Sequence, residues 1–276
     1  MILIVSAIKL EILATLKRMK KLKVVNKKMP LVYEGYINNK QIILVISGMG
    51  KGNASAASKF ISSKFLVSSP GEKNKKQVLE KIIICGVSGA LKESLSTGDV
   101  MICDKILLRD LKSFRISGTI RLDNSEKAIE RVIASKKVLN CKLSEKESKE
   151  KFEKNKLFFS GSLLTVCNML TDVEEKKLAG ERFNADVADM ESYWLLKNVN
   201  DSKVKINNLC VRAVVDDLRF RLPESLKSLI INENINYCQV IFLVLKNPVN
   251  FFRLVSTGIN FRKACRSLNF FIEKIL

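Results

Sequence analysis

The sequence predicts an α/β fold in which helices cover a mostly parallel sheet. Two observations carry this prediction. Apolar, β-branched runs such as Met1–Ala7 and Lys81–Cys85 are typical of strands that are buried on both faces. Glycine-rich or acidic turns follow several of these runs and often lead into a helical pattern, the arrangement in which ligand-binding groups collect at strand ends.

The first part of the chain alternates strands and helices. The predicted elements are a strand at Met1–Ala7, a helix at Ile8–Met19 with a solvated basic face at Lys17–Lys23, strands at Leu31–Asn38 and Gln41–Ser47, and a helix at Asn53–Leu66. Asn38-Asn39 is typical of a hairpin turn. The glycines of Ser47–Gly52 expose backbone amides ahead of the last helix, but they match neither a Walker loop nor a full dinucleotide fingerprint.

The second part continues the same alternation. We expect a polar loop at Ser68–Lys76, strands at Lys81–Cys85, Val100–Ile106, Leu157–Val166 and Cys210–Val215, turns at Gly86–Ala90 and Leu95–Asp99, and a helix at Val173–Gly180. The charged stretch Cys141–Lys156 is expected to be a solvent-exposed helix or an excursion from the core. Asp189-Met190-Glu191 precedes another apolar helix, and Asp216-Asp217 ends a buried strand. These acids either converge on one crevice or serve as a helix cap and a solvated turn.

Composition excludes several kinds of chemistry. The chain of 276 residues has no histidine, which excludes a histidine base, a Ser-His-Asp triad and an imidazole metal site. We therefore expect no metal. Seven cysteines occur without a CxxC pair, as in a reducing compartment, and no basic region precedes the opening strand. Both features indicate a cytoplasmic protein without a signal peptide.

The net charge of +20 has two interpretations. It is typical of a protein that binds nucleic acid or an anionic membrane, and it also follows from a lysine bias spread along the whole chain. A nucleic-acid partner is the weaker hypothesis, because no basic platform interleaved with aromatic residues is present.

The C-terminal part forms the second of two predicted regions, residues 1–236 and 237–276. Tyr237–Leu245 is apolar, and Pro248 is expected to break the chain. Apolar residues then recur at near-helical spacing over Phe251–Leu276, with basic residues between them. This helix packs on the core or on a subunit partner, or it lies on a membrane surface at the inner face. No apolar run is long enough to span a bilayer.

Five motifs in order resemble the purine nucleoside phosphorylase/nucleosidase superfamily over roughly Met1–Pro223. They are Ser6–Glu11, Ser47–Lys51, Gly86–Leu91 with Thr97–Asp99, Asp189–Ser192 and Val211–Asp216. The likeness is closer to methylthioadenosine/adenosylhomocysteine nucleosidases, and the tail is similar to the hopanoid-associated branch. The resemblance implies a three-layer αβα sandwich with a central mixed, largely parallel sheet, and a homo-oligomer of two or more copies.

The resemblance also implies roles for single residues. Asp216 would protonate the leaving purine, and Glu11 would activate the attacking water. Glu191 would hold the ribose hydroxyls, and Met190 would pack on the sugar. The remaining substrate-binding residues by this resemblance are Val87, Ser88, Gly89 and Met169. Two carboxyl groups suit glycosidic cleavage, which passes through an oxocarbenium-like state and needs an acid and a base.

The sequence departs from the family pattern at several positions. Val215 stands where a serine usually precedes the catalytic aspartate, Met169 replaces the usual aromatic residue that stacks on adenine, and Ser88 is shifted by one. Because Val215 lacks the hydroxyl of that serine, catalytic competence or the preference for one base is in question.

Three functions remain open at this stage. The first is hydrolysis of a purine nucleoside or an adenosyl conjugate, of which lipid-tailed adenosylhopane is one version. The second is phosphorolysis, with inorganic phosphate as the only co-substrate; it is less favoured, because no arginine precedes Arg18 and Glu11 would repel phosphate. The third is a basic protein that binds nucleosides or nucleic acid and has lost its catalysis. None of them implies another cofactor.

Overall fold

The computed structural model describes residues 1–66, 79–110, 115–122, 158–202, 204, 206–219, 230–231, 234–235 and 248–276. The strands are β1 (Ile2–Ser6), β2 (Lys20–Asn26), β3 (Leu31–Ile37), β4 (Lys40–Ile46), β5 (Lys81–Ala90), β6 (Val100–Arg109), β7 (Ile116–Arg121), β8 (Phe158–Thr165), β9 (Val187–Asp189), β10 (Asn207–Asp216), β11 (Ile230–Ile231) and β12 (Asn234–Ile235). The helices are α1 (Leu13–Arg18), α2 (Gly50–Ile61), α3 (Val173–Phe183), α4 (Ser192–Asn200) and α5 (Pro248–Ile275), with a 3₁₀ turn at Lys9–Ile12 and a π-helical turn at Ser62–Leu66. The predictions for Ser68–Lys76, Cys141–Lys156 and Tyr237–Leu245 lie outside the described residues.

Ten of the described strands form one mixed sheet, as the sequence predicts. Its central strands β4, β1, β5 and β10 run parallel, and β3 and β2 extend one side in antiparallel pairing. On the other side β10, β6, β8 and β9 pair in turn, and β9 returns to β5, so that five strands close a ring. The carboxyl ends of β1, β4, β5 and β10 therefore meet at one edge, where side chains that follow the strands can converge.

Side-chain alternation along the strands builds a core on each face of the sheet. Ile2 and Ile4 of β1 pack in the same cluster as apolar residues of α1 and α5, whereas Leu3 and Val5 pack with α2 and α4. Helices on both faces of the sheet are the three-layer αβα arrangement that was predicted.

The C-terminal helix α5 packs on the sheet. Its buried residues share a cluster with strands β1, β4, β5 and β10; they are Ala264, Leu268, Phe271, Ile272 and Ile275. Asn269 adds polar contacts, since its side chain accepts from the Thr15 backbone at 3.0 Å and donates to the Glu11 carbonyl at 2.7 Å. The division of the chain at residue 236 stays a prediction. No helix in the described ranges is both long and apolar enough to cross a membrane.

Four local predictions are wrong. Gly86–Ala90 is not a turn but the second half of β5, because β10 and β9 supply hydrogen-bonding partners on either side. Lys20–Asn26 is an edge strand rather than a helix face; lysines are common on exposed edges, where they discourage further pairing. Helix α2 begins three residues early, at Gly50. Pro248 starts α5 instead of breaking the chain, since proline suits the first helical position.

Candidate active site

Glu11 lies buried at the edge of the sheet where the parallel strands end. The 3₁₀ turn after β1 brings it back over the strand ends, and only 3% of its surface is exposed. Its carboxylate accepts hydrogen bonds from Ser6 Oγ at 2.5 Å, from the Ile8 amide at 3.0 Å and from the Val87 amide at 2.9 Å. Three donors from two strands and the turn fix this carboxylate in one orientation.

Asp216 ends β10 and faces the same part of β5. The pairing of β10 with β5 shifts between Val214 and Asp216, so Val215 is the extra residue of a bulge that re-aims the aspartate. A Cβ at Gly89 would lie 3.0 Å from Asp216 Oδ1, so the absent side chain leaves room for the carboxyl. Burial raises the pKa of Asp216 to about 6, and the adjacent Lys176 ammonium opposes that rise.

Lys176 is the partner of Asp216 and was not predicted. Its ammonium forms an ion pair with Asp216 Oδ2, and 1% of its surface is exposed. Helix α3 can approach the backbone of Leu91 closely because Gly180 has no side chain. A Cβ at Gly180 would lie only 2.5 Å from the Leu91 carbonyl oxygen. The sequence did hold a signal: Lys176, Ala179 and Gly180 share one helix face, and small residues on a face mark close packing.

Asp217 turns away from this pair. It accepts hydrogen bonds from the Arg219 backbone at 3.0 Å, from the Arg219 guanidinium at 2.8 Å and from the Thr97 amide at 3.3 Å. Burial acts to raise the pKa of Asp217, but these bonds outweigh it and the pKa is lowered. Its charge still raises the pKa of Asp216, less than burial does.

Glu191 lies between β9 and α4 and joins the glycine-rich loop to the site. Its carboxylate accepts a hydrogen bond from the Gly50 amide at 2.8 Å. Gly50 has φ +82°, a conformation that favours glycine, and this aims its amide at the acid. Burial, and next the charge of Asp189, raise the pKa of Glu191 to about 7.

Arg212 is a second buried cation that was missed. It pairs with Asp189 at 2.5 Å and donates to Ser192 Oγ at 2.6 Å. Asp189 also accepts from Thr165 Oγ1 at 2.8 Å and from the Ser192 amide at 2.9 Å, so it binds the first amide of α4, although the N-cap residue is Glu191 and not Asp189 as the helix-cap hypothesis supposed. Burial is the largest effect and acts to lower the pKa of Arg212, but the charges of Asp189 and the other neighbouring acidic groups together outweigh it and raise the pKa. The signal was a charged residue inside an apolar strand, which must be paired.

The structure places only some of the predicted substrate-binding residues beside the acids of the site. Val87 lies beside Glu11 through its amide, and Gly89 lies beside Asp216. Ser88 is buried, and its hydroxyl has no partner among the described residues. Met190 packs on the small cluster that contains Leu91 and Leu164. Met169 is partly buried after β8, and within the described ranges no hydrogen bond or ring contact joins it to the acids.

The site combines buried carboxyl groups with buried cations. Asp216 and Glu191 have raised pKa values and can hold protons near neutral pH, whereas Glu11 accepts three hydrogen bonds in a fixed position. Such a set can donate one proton and accept another across a small ligand. Among the described residues, no group of three or more acids or cysteines is placed to hold a metal ion.

Comparison with known proteins agrees with the architecture. The model of a family described as the phosphorylase superfamily matches residues 1–232. The chain is 35% identical over 79 residues to a 5′-methylthioadenosine/S-adenosylhomocysteine nucleosidase of Staphylococcus haemolyticus, covering 29% of each chain. It is 32% identical over 110 residues to the nucleosidase of Staphylococcus carnosus, covering 40% of this chain and 43% of that protein. The matches thus span less than half of these relatives.

Solved structures resemble the whole chain. The Neisseria meningitidis nucleosidase in complex with methylthio-immucillin-A has a TM-score of 0.66 and 17% identity, with 99% of this chain and 97% of that chain covered. A futalosine hydrolase mutant of Helicobacter pylori has a TM-score of 0.67 and 15% identity, with 99% and 97% covered. At these identities the likeness shows the fold alone.

Proposed function

The chain belongs to the phosphorylase superfamily, and we propose that it cleaves the N-glycosidic bond of a purine nucleoside or an adenosyl conjugate and releases the base. One observation carries this proposal. Two buried carboxyl groups lie beside one short segment of β5: Glu11 accepts a hydrogen bond from the Val87 amide, and Asp216 Oδ1 lies 3.0 Å from the position of a Cβ at Gly89. An acid and a base that flank one bond are the requirement for glycosidic cleavage.

Asp216 is the proposed acid. Its proton passes to N7 of the purine, and the electron pair of the glycosidic bond moves to N9 as the sugar becomes an oxocarbenium ion. The carboxyl must be protonated at that moment, and burial supports this by raising the pKa of Asp216 to about 6. Lys176 then stabilises the carboxylate that remains, because its ammonium already contacts Oδ2.

Glu11 is the proposed base. A water molecule gives its proton to the Glu11 carboxylate while its oxygen bonds to C1′ of the sugar. The donors from Ser6, Ile8 and Val87 support this role, because they hold the carboxylate in one orientation. Glu191 would accept from the ribose hydroxyls with Met190 beside the sugar, while Val87, Ser88 and Gly89 line the base and Met169 adds an apolar contact.

Water is the nucleophile that the charges favour. The buried charged side chains in the described part of the chain are five acids and two cations, namely Glu11, Asp189, Glu191, Asp216, Asp217, Lys176 and Arg212. Both cations already pair with acids, Lys176 with Asp216 and Arg212 with Asp189. A phosphate dianion would therefore meet more buried acids than buried cations in the described part of the chain.

Several finer points stay predictions. A lipid-tailed adenosyl substrate, contact of residues 251–276 with an anionic membrane, a cytoplasmic location and a homo-oligomer are proposed from the sequence, and so is the absence of a cofactor. The packing of α5 on the sheet leaves only part of that helix for a membrane, since Phe271 and Ile272 are buried.

The test measures base release from purine nucleosides with and without phosphate, for the wild-type protein and Asp216→Asn. The control is Glu93→Gln, which removes a surface acid that pairs with Lys177. We expect release without phosphate, a loss of at least about a hundredfold in the Asp216 variant, and no loss in the control. Release that requires phosphate would replace water as the nucleophile. Folded protein that releases no base would contradict the proposed function.

A further inference from the structure

Lys176 has more hydrogen-bond donors than its surroundings use. A lysine ammonium carries three N–H donors. Among the residues that the structure describes, Asp216 is the only hydrogen-bond partner of this ammonium, although 1% of the residue is exposed. Buried donors without acceptors are costly, so the remaining N–H groups call for an acceptor that the described residues do not supply. A ligand that binds at Asp216 can supply it.

The geometry places that acceptor beside the proton-transfer atom of the base. Lys176 holds Oδ2 of Asp216, and both carboxyl oxygens lie beside β5, Oδ1 at 3.0 Å and Oδ2 at 3.4 Å from the position of a Cβ at Gly89. A purine whose N7 takes the proton from Oδ1 therefore has its neighbouring groups next to the ammonium. On one side of N7 is C8–H, which offers no acceptor. On the other side is the substituent at position 6.

Purines differ in the group that they present there. Guanine-type bases show acceptors at N7 and O6, whereas adenine shows an acceptor at N7 and a donor at its 6-amino group. A 6-oxo group would accept from the Lys176 ammonium. A 6-amino group would set a donor against a donor in a buried site and leave the ammonium unsatisfied.

We propose that Lys176 is a specificity-determining residue that selects 6-oxopurine nucleosides over 6-aminopurine nucleosides. The inference rests on the proposed function, and it favours inosine-type and guanosine-type substrates over the adenosyl version. In the reaction Asp216 gives its proton to N7, Lys176 keeps its three protons, and the bonding pair moves to N9. The base leaves neutral because N7 carries the proton, and the hydrogen bond from Lys176 to O6 stabilises the electron density that the bonding pair shifts toward O6.

The experiment compares kcat/KM for inosine and adenosine. We expect the wild-type protein to prefer inosine by at least about tenfold, the value of one good additional hydrogen-bonded contact to a base edge. Lys176→Met keeps an unbranched apolar side chain that is one atom shorter and removes the donors, so the preference should fall by about tenfold or more. The matched control is Lys177→Met, since Lys177 is the next residue of α3 but pairs with Glu93 at the surface. It should keep the wild-type ratio.

A purely structural role for Lys176 would lower both rates together and leave their ratio unchanged. That result, or a wild-type preference for adenosine, overturns the inference.

Calorimetric binding of free hypoxanthine and adenine to the wild-type protein is a second measurement that needs neither turnover nor a folded variant. Tighter binding of hypoxanthine supports the inference even if no nucleoside is cleaved, in which case only the proposed function fails. Tighter binding of adenine, or no binding of either base, overturns the inference.

Discussion

The pH dependence of turnover tests how the site sets the strength of its acid. Two opposing effects act on Asp216: burial, the larger, raises its pKa, and the charge of Lys176 lowers it, with a result of about 6. An acid that must be protonated loses activity as the pH rises through its pKa, by about tenfold for each further pH unit. The wild-type kcat/KM should therefore fall on the alkaline side from a pH between about 6 and 7.

Replacing Lys176 with methionine removes the opposing effect and leaves burial in place. A cation in contact with a carboxyl group lowers its pKa by about 1 to 3 units, so the alkaline limb should move upward by that amount. The sign is distinctive, because the variant would keep a larger share of its own maximal activity at pH 8 than the wild type does. The height of the profile will also change, since Lys176 is proposed to contact the substrate, and only the position of the limb is compared.

The assay records kcat/KM between pH 5 and 9 for wild type, Lys176→Met and Lys177→Met with one nucleoside. The Lys177 profile should overlie the wild type. Glu191 also titrates in this range, with a pKa raised to about 7, but its main neighbours are Asp189 and Arg212, so any limb that it causes should stay in place. A limb in Lys176→Met that stays where it was, or moves to lower pH, would refute the assignment of Asp216 as the acid.

Three further changes test how the site is held together. Gly86→Ala would put a Cβ 2.1 Å from Arg212 Nη1 and disturb a buried ion pair. Denaturant unfolding should therefore show a free energy of unfolding lower by about 3 to 5 kcal/mol. The control Gly258→Ala, with open space around the new Cβ, should lose no stability. Asn269→Ala should lower the free energy of unfolding by about 1 to 3 kcal/mol, because it leaves buried groups of α1 and of the Glu11 turn unpaired. It should also lower kcat, and an unchanged kcat would contradict the link between Asn269 and the position of Glu11. Phe271→Ala should cost about 3 to 5 kcal/mol, and a loss below 1 kcal/mol would mean that α5 is not docked in solution.

The fold was accessible from sequence because strand and helix patterns differ in period. The β-branched runs of β1, β5 and β10 and the Asn38-Asn39 turn, whose residues both adopt positive φ, follow local rules that need no knowledge of neighbours. Gly86–Ala90 was mistaken for a turn because glycines punctuate loops in most sequences. Here glycine serves long-range contacts instead, since Arg212 and Asp216 occupy the space beside Gly86 and Gly89.

The acids of the site were predicted from motifs in a fixed order, and the structure places them at one edge of the sheet. Their contacts could not be predicted in the same way. The bulge at Val215 depends on the pairing of β10 with β5, which a single sequence does not specify. The link from Gly50 to Glu191 joins residues 141 positions apart. Neither depends on local propensity.

Lys176 shows why a functional cation is hard to recognise in a strongly basic sequence. In a chain with 48 lysines and arginines, another lysine carries little information, and Lys176 and Lys177 are indistinguishable by type. Helix phase separates them: the face of Ala179 and Gly180 turns Lys176 inward to Asp216, while Lys177 keeps 37% of its side chain exposed. A buried ammonium costs too much to persist without a carboxylate, and the carboxylate beside it belongs to the proposed acid. The need to pair its buried charge therefore connects Lys176 to the proposed reaction.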